Sequence, residues 1–211
     1  MDNSEVVSLL DKDPLSTDLL VSFLWAAATN YKHDTLVRPF PPQYLKGEHK
    51  DIELLVTDVS SIPTITDITQ GRKPLSAICR KLLEWILKDS RWSLVYHPPS
   101  KFSDIMSLTG AASYSVKPQH IFEVVYSADA NHKFGQLELL HGKIHAYHGS
   151  RVENFHSILH NGLLGHMNKT SLFGEGTYLS SDLIVAMTFS PSGNIWRNSS
   201  FSVPISCAAF S

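Results

Sequence analysis

Two short stretches carry residue types that could do chemistry together. Tyr147-His148-Gly149-Ser150-Arg151 offers an imidazole beside a glycine whose backbone is open to a ligand. Phe173-Gly174-Glu175-Gly176-Thr177-Tyr178-Leu179 offers a tyrosine ring just after two glycines. Together they could clamp a flat heteroaromatic amide, with backbone hydrogen bonds along its edge and a ring against its face. The imidazole would then meet a nearby hydroxyl. His-Gly and Gly-x-Gly are each common; both in this order and at this spacing are much rarer.

Composition narrows the setting. A chain of 211 residues, 43% of them hydrophobic, can bury a real core. Its formal charge of −2 comes without any cluster of Lys and Arg, which argues against nucleic acid as a partner. The two cysteines, Cys79 and Cys207, are far apart, so they exclude a zinc ribbon and suggest a reducing compartment. Asp2, Glu5 and Asp11 at the N-terminus do not fit a signal peptide. No run approaches the roughly 18 apolar residues of a membrane span.

The elements that must position the two stretches can be read from periodicity. Asp13-Pro14 is an N-cap with proline at the first helical position. Leu19, Leu20, Phe23, Leu24, Ala27, Ala28 and Tyr31 continue it as a helix over about 14–32, which Arg38-Pro39-Phe40-Pro41-Pro42 stops. Further helices are expected over 51–59 and 74–88, the latter with a broad stripe of Leu75, Ile78, Cys79, Leu82, Leu83, Trp85 and Ile86. Helices alone are expected to fill the first ninety or so residues.

The pattern then turns to strands at 92–96, 121–126 and 143–148, the last delivering His148 and Gly149 at its C-terminal edge. A helix over 151–160 ends at Asn161-Gly162. A short strand at 177–179, a helix from Asp182 to Met187 and a strand over 201–210 follow. The fold class is therefore α+β, with a helical N-terminal domain over 1–91 and an α+β domain over 92–211.

At the quoted residues the chain resembles the ADP-ribosyltransferase domain of the poly(ADP-ribose) polymerase family. The match runs through His148-Gly149-Ser150-Arg151, Asn154-Phe155-His156-Ser157-Ile158-Leu159-His160-Asn161-Gly162-Leu163 and Phe173-Gly174-Glu175-Gly176-Thr177-Tyr178. Upstream, Tyr31-Lys32-His33-Asp34 leads into Arg38-Pro39-Phe40-Pro41, and Asn168-Lys169-Thr170-Ser171-Leu172 precedes the glycines. These resemble the family's tail-anchored, mono-transferring branch of the endoplasmic reticulum. The likeness covers essentially the whole chain and implies a mixed-sheet catalytic domain that runs off the C-terminal end incomplete. A truncated product is therefore expected, weakly active or inactive by itself and cytoplasmic. Its full-length relative would sit on the cytosolic face of the endoplasmic reticulum.

The resemblance implies NAD as substrate, protein acceptors, and transfer of single ADP-ribose units with release of nicotinamide. His148 and Tyr178 become the catalytic pair, and His148, Gly149, Ser150, Arg151, Tyr178 and Phe189 the NAD-binding residues. His148 would bond a ribose hydroxyl, Gly149 would bind the carboxamide through its backbone, and Tyr178 would stack on the nicotinamide ring. Phe189 stands where the family places its second ring. Ala186 stands where many members hold a serine that reaches the carboxamide. Ser150 and Arg151 would lie near the adenosine half, Asn154 would brace the loop through backbone, and 163–172 would cover NAD. The family's third catalytic residue falls beyond Ser211.

Three rival readings compete. His156 and His160 have the i, i+4 spacing of a zinc pair, with His145, His148 and His166 nearby, but no His-Glu-x-x-His is present, so no metal is expected. A dehydrogenase is disfavoured because Phe173-Gly174-Glu175-Gly176 lacks the third glycine of the dinucleotide fingerprint. A non-catalytic NAD-binding or protein-interaction module is the main alternative.

Overall fold

The computed structural model describes residues 3–88, 91–110, 116–165, 174, 176–201 and 203–210. Helix α2 (Pro14–Thr29) is the axis of the fold. It begins where Asp13 accepts the Ser16 amide at 3.0 Å with Pro14 at the first position. Apolar residues cover all sides of it, as a helix buried on two faces requires.

On one side Val21, Leu24, Ala27 and Ala28 meet α1 (Asn3–Lys12), α4 (Ile52–Ser61), α5 (Ile65–Thr69) and α6 (Ala77–Leu87). Val6, Leu10, Leu55, Val59, Leu82 and Leu83 are fully buried in that core. On the other side Leu19, Phe23 and Ala26 meet Val152, Phe155, Ile195 and Phe201. Phe23 and Phe155 stack with ring centres 5.3 Å apart.

The two sides are also tied by chain crossing. Trp196 is fully buried in the N-terminal core, and Asn198 Nδ2 donates to the Ile62 carbonyl at 2.8 Å. Asp18 on α2 is buried, and its carboxylate accepts the Ser199 hydroxyl at 2.5 Å and the Ser200 amide at 2.7 Å. Such a carboxylate is tolerated inside because its lone pairs are answered. The N-terminal helices thus pack on each other and on residues 152–155 and 195–201.

Between these helices and α9 (Phe155–Asn161), strands β3 (Trp92–His97) and β4 (Ile121–Tyr126) pair antiparallel, with Leu94 opposite Val124. A second antiparallel ladder joins β5 (Tyr147–Ser150) to β6 (Cys207–Phe210). Directly opposed residues share a face. His148 with Ala209 and Ser150 with Cys207 therefore lie on one face, toward the core that includes α2. Tyr147 with Phe210 and Gly149 with Ala208 lie on the other, with Leu183 and Ala186 of α10 (Leu183–Met187) and Phe102 of α7 (Phe102–Leu108).

Several expected elements differ. The N-terminal region is not helical alone, since β1 (Leu45–Lys46) and β2 (His49–Lys50) form a hairpin around Gly47 at φ 63°. The helix of 14–32 ends at Thr29, and the one-turn α3 (His33–Leu36) follows. The strand expected over 143–148 is instead 147–150, so His148 and Gly149 sit inside it rather than at its end. Among the described residues its partner β6 pairs only with 147–150. The segment 151–160 divides into a 3-10 turn at Val152–Asn154 and α9.

Residues 177–179 form no strand; Ser180 alone bridges Tyr147. The strand expected over 201–210 is confined to β6. Pro204 has no amide hydrogen to give a ladder, and Ile205 instead bridges Gly193. Helix α8 (Ala128–His141) had no sequence signal: its Leu137, Leu139 and Leu140 are exposed and no residue of it is buried.

Candidate active site

The site grows out of β5. Tyr147 exchanges both backbone bonds with Ser180, donating to its carbonyl at 2.7 Å and accepting its amide at 3.0 Å. Those groups point away from β6. By the alternation of an antiparallel ladder, His148 turns its backbone to β6, and Gly149 turns its N–H and C=O back to the Ser180 edge. The Tyr147–Ser180 bridge is isolated, so the two chains part beyond it. Continuing the register would have set Tyr178 opposite Gly149. A donor and an acceptor thus line an edge from which the neighbouring chain has diverged, a geometry that suits the N–H and C=O of a primary amide.

Gly149 is glycine because a packed helix, not only a ligand, needs the space beside it. A side chain was expected to be excluded by a ligand. In the structure a Cβ there would stand 1.7 Å from the Ala186 carbonyl oxygen and 2.9 Å from Ser190 Oγ. Helix α10 occupies that space. Asp182 starts this helix by accepting the Ile184 amide at 2.8 Å, as its cap position anticipated.

His148 and Tyr178 are brought together. His148 Nδ1 lies 3.0 Å from the Tyr178 carbonyl oxygen. A carbonyl can only accept, so Nδ1 carries the proton and Nε2 is the acceptor of the neutral ring. The Tyr178 hydroxyl donates to the Gly174 carbonyl at 2.7 Å, folding the ring back over its own turn, where Gly174 takes φ 103°. That φ lies where side chains are rarely accommodated. The Tyr178 side chain is partly open, at 39% exposure.

The other expected residues divide. Ser150 lies on the His148 face of β5, and its hydroxyl accepts Asn154 Nδ2 at 2.8 Å. Asn154 therefore braces the loop through a side chain rather than through backbone. Arg151 follows the strand and is exposed. Phe189 lies just past α10, 60% exposed, beside the buried Ser190. Most of the stretch 163–172, expected to cover the site, falls outside the described residues, as do His166, Phe173 and Glu175.

The histidine pair reads differently from a metal site. His156 is buried, and its Nε2 donates to the Pro39 carbonyl at 3.0 Å. Burial, with His160 nearby, holds its pKa down at about 4. His160 stacks on Trp85 at 6.3 Å and meets Trp92 edge-on at 5.1 Å. No cluster of three or more metal-ligating side chains occurs among the described residues. An open cleft of about 460 Å³ lies over this seam, lined by Pro39, Lys81, Glu84, Trp85, Lys88 and His160, away from His148. Among the described residues no helix is long and apolar enough to cross a membrane.

Ser190 is the residue that sequence reading missed. It is buried where α10 winds on through i→i−3 bonds to residue 190, and no local pattern announces that.

Comparison with known proteins completes the picture. Residues 8–87 match the ARTD15 N-terminal domain, and residues 100–204 match the poly(ADP-ribose) polymerase catalytic domain. The protein mono-ADP-ribosyltransferase PARP16 of Homo sapiens is 42% identical over 199 residues, covering 94% of this chain and 62% of that protein. PARP16 of Mus musculus is 40% identical over the same span. The protein mono-ADP-ribosyltransferase PARP8 of Mus musculus is 27% identical over 186 residues, 77% of this chain and 21% of its own length. The chain spans 62% of the length of the PARP16 proteins. With a helical region matching one domain, and the β5 edge, α10 and the His148–Tyr178 contact inside the other, the chain belongs to the poly(ADP-ribose) polymerase family.

Proposed function

We propose that this protein is an NAD-dependent mono-ADP-ribosyltransferase that passes ADP-ribose from NAD to protein side chains and releases nicotinamide. The observation that carries this reading is the backbone of Gly149, turned to an edge from which residues 178–179 have diverged, with His148 held against Tyr178 beside it. A carboxamide gives one donor and one acceptor to that edge. The Tyr178 ring offers a stacking face, and Phe189, already open to solvent, offers a second. With Nδ1 committed to the Tyr178 carbonyl, His148 Nε2 accepts a hydrogen bond from a ribose hydroxyl and orients the sugar, without acting as the base. Ser150 and Arg151 extend the binding line toward the adenosine half.

The reaction breaks the bond between the nicotinamide nitrogen and the ribose. Both electrons go to the nitrogen, neutral nicotinamide leaves, and the acceptor side chain attacks the ribose carbon and loses a proton. Nicotinamide is already a cationic leaving group, so positioning and electrostatic stabilisation are what these residues can add.

We further propose a division into residues 1–91 and 92–211, with the helical part serving as a regulatory or docking surface. We also propose the cytosolic face of the endoplasmic reticulum membrane as the place of action of the full-length relative, which cell fractionation tests. For the activity, the protein is incubated with NAD labelled in the adenosine half and with cellular acceptors. Label in protein, nicotinamide released in equal amount and single ADP-ribose mass increments are expected. Polymeric ladders would overturn single-unit transfer, and NAD left intact would overturn the transferase reading.

A further inference from the structure

Helix α6 and its cap residue carry Lys81, Trp85 and Lys88 at the i, i+4, i+7 spacing that puts residues on one helix face. The helical rise sets the two lysines about 10 Å apart, with the tryptophan between them. Both lysines are exposed, and neither forms an ion pair among the described residues. Trp85 is half-buried, resting on the N-terminal core.

The catalytic half supplies the facing wall. The His160 ring of α9 stacks with Trp85 at 6.3 Å, and Pro39 is tied to the same helix because its carbonyl accepts His156 Nε2 at 3.0 Å. Arg91 donates to the His160 carbonyl at 3.1 Å, setting a further cation beside this wall. Together Pro39, Lys81, Glu84, Trp85, Lys88 and His160 line the open cleft of about 460 Å³. Among these lining residues Glu84 carries the one carboxylate, so the cleft is cationic at both ends and apolar in the middle.

We propose that this cleft is a docking site for an acidic peptide segment of a partner protein. Its carboxylates meet Lys81 and Lys88, and an apolar side chain between them covers Trp85 and Pro39. An extended peptide advances about 3.3 Å per residue, so carboxylates three positions apart match the spacing of the two lysines. The long lysine stems can lie along the apolar floor and adapt to the acids. A small anion would engage one lysine and leave Trp85 uncovered, whereas a peptide uses both ends and the middle. The occupant touches α6, within the ARTD15-type region, and α9, within the catalytic domain, so it bridges the two.

The test uses the 211-residue chain and a fluorescein-labelled ten-residue peptide. The peptide holds two aspartates three positions apart, a leucine between them, and glycine or serine elsewhere. Fluorescence anisotropy should show binding by the wild type that weakens as salt rises. Lys81→Ala and Lys88→Ala should each weaken it about two- to fivefold, and Lys81→Glu combined with Lys88→Glu about tenfold or more. The double variant Lys133→Glu with Lys143→Glu, on and next to α8, should bind as the wild type does. All these lysines are exposed, so melting temperatures should not move. A peptide with asparagine for both aspartates, or with serine for the leucine, should bind more weakly, which probes the lysines and Trp85 without altering the fold.

No binding by the wild type overturns the proposal. So does an equal loss in the Lys133 and Lys143 variant, the mark of general charge attraction, or a leucine-to-serine change without effect. Displacement of the labelled peptide by inorganic phosphate or ADP-ribose at lower concentration than by unlabelled peptide would make this a small-anion site and overturn the peptide reading.

Discussion

The His148 imidazole Nδ1 donates a hydrogen bond to the Tyr178 carbonyl, 3.0 Å long. The bond does more than join two segments. It fixes which ring nitrogen carries the proton, and so which one can accept from a substrate hydroxyl. Nitrogen-15 NMR of histidine-labelled protein at neutral pH checks it. A His148 signal typical of the Nδ1–H tautomer is expected, and an Nε2–H signal would remove the proposed ribose contact.

Replacing His148 with Gln should weaken NAD binding by about fivefold, the equivalent of one neutral hydrogen bond of about 1 kcal/mol, with little effect on melting. The ring is only partly buried, so stability should not depend on it. Titration calorimetry with NAD reads the first quantity and a thermal melt the second. A large fall in melting temperature would recast His148 as structural.

Gly149→Ala should destabilise the fold whether or not ligand is present. The added methyl would have to lie 1.7 Å from the Ala186 carbonyl, so α10 must move. Overpacking of this kind typically costs about 1–3 kcal/mol. Urea unfolding of the ligand-free variant measures it. Native stability together with lost NAD binding would restore the view that the glycine serves ligand approach alone.

Asp18 ties the N-terminal helices to the 199–200 turn, so Asp18→Ala should loosen more than one site. A buried carboxylate accepting several hydrogen bonds should cost about 2–3 kcal/mol when removed. Faster amide exchange is expected over 196–201 as well as in α2. Exchange confined to α2 would show that the two cores are not coupled there.

Acid should weaken this protein through His156. In the folded chain its pKa is held at about 4, against 6.5 for an unburied histidine, first by burial and then by His160. Between those values the unfolded chain binds the extra proton, so the stabilisation is complete above pH about 6.5 and is lost as pH falls toward 4. The displacement corresponds to about 3 kcal/mol. Denaturant unfolding from pH 7 to 4 should show this slope, and His156→Gln should flatten it. An unchanged slope in that variant would assign acid sensitivity elsewhere.

How far the sequence could speak is visible in these residues. Asp13-Pro14 announced α2, Asp182 announced α10, and the β-branched and aromatic runs announced β3 and β4, because caps and periodicity are local. His148, Gly149 and Tyr178 could be singled out by type, but their relation could not. The exclusion of a Cβ at Gly149 depends on a carbonyl 37 positions downstream, at Ala186. Ser190 is an ordinary serine until the turn after α10 buries it. Strand β6 was overextended because Val203 and Ile205 are strand-like, while the amide-less Pro204 and the bridge to Gly193 act against a ladder. Helix α8 lacked a sequence signal because helices are recognised by a buried stripe, and it has none.

The most direct measurement is a titration of NAD into the wild-type chain and into Tyr178→Ala and Tyr178→Phe. Binding by the wild type is expected, weakened about fivefold or more by Tyr178→Ala, since a stacked ring contributes about 1 kcal/mol or more. Tyr178→Phe keeps the ring and loses the hydroxyl bond to Gly174, so it should stay near the wild type. Equal affinity in all three, or no binding by the wild type, would contradict the nicotinamide site.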